Sequence, residues 1–377
     1  MHLLVEVRDN ISEWREALTQ SGERPRLPLP FAFGGAFLQR GHKLSAVNLA
    51  PSLTPGSSYH PFATVYSKDE LAKALRDVDI ATLWGRYCAS AILRRSLMAS
   101  QRRRVILNSY TWRMCHVPTL RTRISVLHTR LAARLARAVV VLTAGQAAAA
   151  RSSLPYTVPV VRLRCGIDTA FYRVPSRFED VPEQYRSTIE NLLSEPFVIM
   201  PGDELRLNQH ALEIVSNSDI RLVRISQYAR SERPESLRRE VHRRGIEDRF
   251  LVLEKISYPF MRFLLQHASA YAGLVDSTWQ PAGWTVACEA MASGLPVVVY
   301  EGLVSEELLS LGASTPLFRS VPRNDARAFQ EALQFYSWAP SLEESRQSAA
   351  TFAAQTLDLA RWSEEFVLQI EGLVACS

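Results

Sequence analysis

No apolar run in the 377 residues is longer than a strand. Stretches such as Leu295–Tyr300 fall far short of the roughly 20 residues that a membrane-spanning helix needs. The start, Met1-His2-Leu3-Leu4-Val5-Glu6-Val7, lacks a basic segment and meets a glutamate at once, so it reads as a first β-strand and not as a secretory leader. The five cysteines (Cys88, Cys115, Cys165, Cys288, Cys376) are scattered, odd in number and without a Cys-x-x-Cys pair. They fit free thiols in a reducing cytosol better than a disulfide or zinc framework. No His-x-x-x-His or acidic cluster has metal-ligand spacing, so no metal is expected. Also missing are a Gly-x-Ser-x-Gly elbow and a phosphate-binding P-loop. No Gly-x-Gly-x-x-Gly fingerprint follows the first strand, which argues against an NAD oxidoreductase.

Acidic residues are absent from Ile80 to Ile167, a stretch that holds 15 arginines. Up to Pro175 there are 25 Lys and Arg against 10 Asp and Glu, a net of +15; the remainder has 19 against 28, a net of −9. Segregation on this scale points to an anionic partner for the first half. In 121–137, Ile124, Leu127, Leu131 and Leu135 recur at helical spacing, with Arg123, Arg130, Arg134 and Arg137 on the flank. This is the layout of a helix lying on an anionic membrane surface. A core-facing helix whose arginines snorkel accounts for it equally well, and a nucleic acid satisfies the same charge count.

What is present is an alternation of β-rich runs and amphipathic stretches, the pattern of parallel α/β folds. It predicts strands near 2–7, 43–49, 78–83, 104–108, 138–142 and 159–163. A second series lies near 197–201, 220–226, 250–254, 269–275, 295–300 and 316–320. Long helices at 342–354 and 357–373 close the chain. The expected organisation is a Rossmann-like domain over 1–175, a linker over 176–195, a second Rossmann-like domain over 196–355 and a terminal helix over 356–377. Open sheets of this kind bind ligands at the carboxyl ends of their strands, here in a cleft between the domains.

The densest chemistry lies in Trp279-Gln280-Pro281-Ala282-Gly283-Trp284-Thr285, followed by Glu289-Ala290-Met291-Ala292-Ser293-Gly294-Leu295-Pro296-Val297-Val298. A turn through Gly283 opens a helix whose free N–H groups suit an anion. Glu289 lies within that helix, where it can accept hydrogen bonds from a diol, and Gly294 caps its end.

The second string resembles the signature of the retaining, two-Rossmann-domain (GT-B) glycosyltransferases of the family 4 class. In that family an acidic residue and a later glutamate, with seven residues between them, flank a glycine-containing loop. Here glutamine, Gln280, stands for the first acid, and one extra residue precedes Glu289. Arg164-Cys165-Gly166-Ile167-Asp168-Thr169-Ala170-Phe171 resembles the family's Asn-Gly-Val-Asp-x-x-x-Phe element. Met200-Pro201-Gly202-Asp203-Glu204-Leu205-Arg206 resembles its diphosphate loop, with Asn208-Gln209-His210 where a lysine is expected. Tyr300-Glu301-Gly302-Leu303-Val304-Ser305-Glu306 resembles a Gly-Gly-x-x-Glu turn, with Leu303 for the second glycine. Ala360-Arg361-Trp362-Ser363 resembles the start of a last helix that returns to the first domain.

The resemblance implies an enzyme that moves a sugar from a nucleoside-diphosphate sugar; with the free thiols, the basic helix and the lack of metal-ligand spacing, the expectation is a cytoplasmic protein, peripheral on the inner face of the membrane, that uses no metal or other cofactor. The acceptor is anionic or a lipid-linked glycan. Catalytic roles fall to Arg206 and Gln280. Donor binding falls to Gly202, Asp203, Arg206, Gln280, Ala282, Gly283, Trp284, Thr285 and Glu289. The acceptor-side candidates are Gly34, Gly35, Arg86, Tyr110, Trp112 and Arg113. Gly35 stands only five residues before Gly41 of Arg40-Gly41-His42, so the glycine pair is expected within or at the start of a short helix. Two alternatives stay open: transfer to a nucleic-acid base, and a non-catalytic relative that binds a nucleotide-sugar or a partner.

Overall fold

The structure is a computed structural model. It describes residues 1–7, 31–48, 62–67, 69–84, 105–108, 124, 127, 130–134, 136–163, 166–202, 205–226, 234–277, 280–314, 316–337 and 342–375. The chain divides into two compact units, the second formed by Ile167–Asp358, with Leu359–Ser377 returning to the first.

The first unit holds a seven-stranded sheet in the order β3-β2-β1-β4-β5-β6-β7. Its strands are β1 (His2–Val7), β2 (Lys43–Asn48), β3 (Val65–Ser67), β4 (Ile80–Trp84), β5 (Val105–Asn108), β6 (Ala138–Val141) and β7 (Val160–Arg162). All of its pairs are parallel. Such strands need apolar side chains on both faces, and Leu3, Leu4 and Val5 are all fully buried. Around the sheet lie α1 (Phe31–Gln39), α2 (Leu71–Asp77) and α3 (Ala144–Ser153). Thr143 and Gln146 start α3 with a reciprocal capping box, which satisfies two otherwise orphaned N–H groups.

The last helix, here α13 (Leu359–Ala375), belongs to this first unit, as the sequence led us to expect. Its apolar side recurs every three or four residues. Phe366, Val367 and Ile370 join Leu3, Val5, Phe37 and Leu44 in one core cluster. Full burial of such a side chain is worth about 1.5–3 kcal/mol. Arg40 grips Glu371 with two hydrogen bonds, Nε at 3.0 Å and Nη2 at 2.8 Å, and His42 Nε2 adds a contact at 2.7 Å. Arg40, then His42, hold the Glu371 carboxyl down at about 2. The Arg40-Gly41-His42 element is thus a clamp on the terminal helix.

The second unit holds a six-stranded parallel sheet in the order β10-β9-β8-β11-β12-β13. Its strands are β8 (Phe197–Pro201), β9 (Arg221–Ser226), β10 (Phe250–Glu254), β11 (Ala270–Gly273), β12 (Val297–Tyr300) and β13 (Phe318–Val321). In chain order this is 3-2-1-4-5-6, the doubly wound arrangement, whose direction reverses between β8 and β11. The helices are α4 (Thr169–Arg173), α5 (Arg186–Leu193), α6 (Asn208–Ser216), α7 (Pro234–Arg244), α8 (Tyr258–His267), α9 (Trp284–Ala292), α10 (Leu303–Ser310), α11 (Ala326–Ser337) and α12 (Leu342–Thr356). Residues 176–195, read from sequence as a linker, lie inside this unit: Val181 and Ile189 are fully buried. Among the described residues no helix is long and apolar enough to cross a membrane.

Candidate functional site

The carboxyl ends of β8 and β11 flank the point where the strand order reverses, and the two loops that leave them are stitched together. Arg206 forms an antiparallel bridge with Val275. Leu207 N–H donates to Leu274 O at 2.9 Å, and Asp276 N–H to Leu205 O at 3.1 Å. The turn that makes this possible passes through Gly202 at φ +100 and Leu205 at φ +56. Leu205 is a left-handed position that a leucine adopts only under tertiary constraint.

Two glycines make room for the Arg206 guanidinium. A methyl group on Gly202 would collide with Nη2, and one on Gly283 would stand 3.1 Å from Nη1 and 3.2 Å from Tyr271 Oη. Nε and Nη1 of Arg206 and the Tyr271 hydroxyl beside them are buried, and none of the three closes a hydrogen bond of good geometry. Burial raises the Tyr271 pKa while the Arg206 charge opposes the rise. Buried donors left this way cost about 1–3 kcal/mol each, a cost that a ligand oxygen would relieve. Beside them lies a recess lined by Tyr271, Gly273, Val275, Ser277, Ala282 and Gly283.

Helix α9 starts at the same place. Its N-cap, Gly283, is left-handed at φ 84 and supplies no side-chain cap. Trp284 N–H closes a turn to Pro281 O at 3.2 Å, and the first full helical bond runs from Ala287 N–H to Gly283 O at 2.9 Å. The N–H groups of Thr285 and Val286 therefore occupy helix positions with no intrahelical acceptor. Together with the helix dipole they favour an anion. Gln280, with its carbonyl accepting from Ala282 N–H at 2.8 Å, sits in the turn before the helix. At the other end Gly294, at φ +76, passes the chain to β12, with Leu295 N–H bonded to Ala290 O at 2.8 Å. This is the glycine cap that the sequence implied.

Glu289 lies on α9 facing Tyr172 of α4. Burial pushes its carboxyl up to about 7, and the Tyr172 hydroxyl pulls the other way. Tyr172 is 1% exposed. Its placement explains the Gly166–Phe171 element: Asp168 caps α4 through Phe171 N–H, so the motif builds a support for α9 within the second unit.

The segment where the resemblance called for a lysine is engaged otherwise. Asn208 Oδ1 accepts from Arg224 Nε at 3.0 Å, and His210 Nδ1 meets Tyr300 Oη at 3.1 Å. Gly302 packs against Ser277, and Leu303 is fully buried. Tyr172 and Tyr271 were missed in the sequence, where an aromatic in an apolar run signals only core.

Among the acceptor-side candidates, Gly34 and Gly35 fall within α1, as expected. Arg86, Tyr110, Trp112, Arg113, Arg123 and, in the second unit, Asp203 lie outside the described residues. The basic row needs one correction. Arg137 donates from Nε at 3.2 Å and Nη2 at 2.7 Å to Leu373 O, so it secures the end of α13 and leaves the proposed anion face. Arg130 and Arg134 have helical backbone, with Arg134 exposed. Ile124, Leu127 and Leu131 are 47%, 56% and 39% exposed, so this apolar row faces outward, while Ala132 and Ala133 are buried.

The two doubly wound sheets, with the terminal helix returned to the first unit, give the fold of the GT-B glycosyltransferases. It is shared with sucrose-phosphate synthase from Thermosynechococcus elongatus (13% identity, 100% of each chain covered, TM-score 0.72). The Anabaena HepE protein in complex with UDP and glucose has it too (13% identity, 99% of this chain and 100% of that one, TM-score 0.71). So does α,α-trehalose 6-phosphate synthase from Burkholderia multivorans (14%, 100% and 97%, 0.69). At these identities the likeness is one of fold. No protein-family model and no curated protein sequence matches the chain.

Proposed function

We propose that the protein is a glycosyltransferase that moves a sugar from a nucleoside-diphosphate sugar to an acceptor hydroxyl, with retention at the anomeric carbon. The observation that carries this reading is Arg206. Its Nε and Nη1 lie buried and unpartnered against Gly283, at the uncapped start of α9. In this reading the bond between the anomeric carbon and the diphosphate oxygen breaks, and Arg206 with the α9 amides takes up the charge that develops on the leaving group. Electrostatic stabilisation of this kind is commonly the largest part of catalysis. The acceptor oxygen forms the new bond, and its proton passes to the leaving phosphate. Glu289 accepts hydrogen bonds from the ribose diol. Gln280 and the backbone of Ala282–Trp284 hold the sugar. HepE has been solved with UDP and with UDP-glucose, which supports a uridine nucleotide as the first ligand to try.

For the acceptor, the outward-facing Ile124, Leu127 and Leu131 favour an anionic membrane surface over a nucleic acid, because an apolar row gains little on a phosphate backbone. Arg134 and the acid-free stretch around it supply the charge. The reading is tested by a thermal-shift panel of nucleoside diphosphates and their sugars. A ligand at 100 times its Kd stabilises by about 2.7 kcal/mol. No response to any member of the panel would end the proposal.

A further inference from the structure

Several N–H and O–H groups converge on the start of α9, and one of them has no part in the reading above. Tyr271 is on β11, an inner strand of the second sheet, yet its hydroxyl reaches the carboxyl edge. Residues two apart on a strand share a face, and the residue two further on is Gly273. A methyl group there would stand 3.1 Å from Tyr271 Cε1, so the glycine leaves a lane along which the ring lies. At the end of that lane, a methyl on Gly283 would stand 3.2 Å from Tyr271 Oη and 3.1 Å from Arg206 Nη1. The two polar atoms thus flank one point, beside the recess that Tyr271, Ser277 and Gly283 help to line.

Neither atom closes a hydrogen bond of good geometry, and neither can satisfy the other in full. A guanidinium carries N–H groups only and has no acceptor. Tyr271 Oη can accept from Arg206, but the hydroxyl proton then has no oxygen to go to. Thr285 and Val286 add two more free N–H groups at the same helix start. What this cluster lacks is an oxygen with lone pairs, and a phosphate supplies several. Asn208 and His210, in the segment where a lysine was expected, are engaged with Arg224 and Tyr300, so neither is free to provide a second grip on a phosphate. Resting on the donor-site reading above, we propose that Tyr271 is a further binding residue for the nucleotide-sugar, its hydroxyl donating to the distal phosphate that Arg206 holds. The diphosphate is then gripped by one full positive charge and one neutral hydroxyl. Burial keeps that hydroxyl protonated, by raising its pKa.

A hydroxyl kept for a ligand behaves oppositely to one kept for the fold. In the free protein its buried, unmatched proton is a cost, and phenylalanine fills the same space. Ligand-free Tyr271→Phe should therefore melt no lower than wild type. With ligand the order reverses. In calorimetric titrations with UDP, ADP and GDP, those that bind wild type should bind the variant roughly tenfold more weakly, the loss expected for a hydrogen bond to a charged group. UMP, AMP and GMP, which lack the distal phosphate, should be almost unaffected by the change. A clearly lower melting point, an unchanged diphosphate affinity, or equal weakening of mono- and diphosphates each overturns the inference and leaves the donor site standing. Failure of wild-type protein to bind any of the three diphosphates overturns the donor-site reading itself.

Discussion

The arginines of the two units differ in what their N–H groups meet. In the second unit Arg221 reaches Asn191 O, Arg224 reaches Met200 O, Arg262 reaches Phe171 O and Arg346 reaches Gln266 O. Each closes a gap that apolar packing leaves at a chain turn. Among these described arginines Arg206 has the most left over, with Nε and Nη1 both buried and unmatched, against Nε alone in Arg262. In the first unit, where the charge count is most lopsided, Arg40 and Arg137 are both turned onto α13. Charge counted along a sequence therefore does not by itself say which arginines can meet an anion. An unsatisfied buried donor is a better guide, because its cost in the free protein implies a partner.

That contrast breaks if Arg206 proves dispensable. Arg206→Ala should lower kcat by about 100- to 1,000-fold, the usual loss on removing a donor that meets developing charge. Arg327→Ala, on an 89% exposed side chain, should stay within about twofold in the same coupled assay.

Glu289→Gln sharpens the comparison from the acidic side. Donor affinity measured by calorimetry should fall about 10- to 100-fold, corresponding to ~1.5–3 kcal/mol for a hydrogen bond to a charged group. Stability should move the other way. The folded-state pKa is raised toward 7, above the usual 4.3 of an unfolded glutamate. The native state therefore holds its proton more tightly, and loses stability as pH rises from the unfolded value through the folded one. Ligand-free Glu289→Gln protein should accordingly melt higher than wild type at pH 8 and alike at pH 4. A lower melting point at pH 8 would contradict a costly buried carboxylate.

On the first unit, Arg134→Gln should weaken co-sedimentation with anionic liposomes about fivefold, following ~1 kcal/mol per arginine near such a surface. Leu127→Ser should weaken it further, and neither should alter donor affinity. Equal sedimentation with neutral and anionic vesicles would remove the electrostatic half of the reading.

The smallest effect is expected at Glu371. Because its pKa is depressed to about 2, its contribution is present above the unfolded value and fades as pH falls through 4 toward 2. Glu371→Gln should lower the melting temperature by a few degrees at pH 7, and the gap to wild type should close in acid.

Much of this was legible beforehand. Every strand of both sheets was expected except β3, whose three residues, Val65–Ser67, are too short to show a period. The 176–195 segment looked structureless because its buried residues, Val181, Ile189 and Leu192, come singly in a polar context. They are fixed by neighbours remote in sequence. The turn through Gly283, the Gly294 cap and Glu289 carried local signals. Tyr172 did not: it is buried against helices that come much later in the chain. Arg137 shared the wheel position of its neighbours, and only the arrival of α13 sets it apart.

The return of α13 also bears on how the chain comes off the ribosome. The first sheet is synthesised early, yet Leu3, Val5 and Phe37 share their cluster with Phe366, Val367 and Ile370. Those three side chains together represent several kcal/mol of burial, comparable with the whole 5–15 kcal/mol that holds a typical domain. The amino-terminal unit therefore lacks part of its core until all of the second unit has been synthesised. A premature stop before Leu359 would uncover the core of the unit whose strands come first in the sequence.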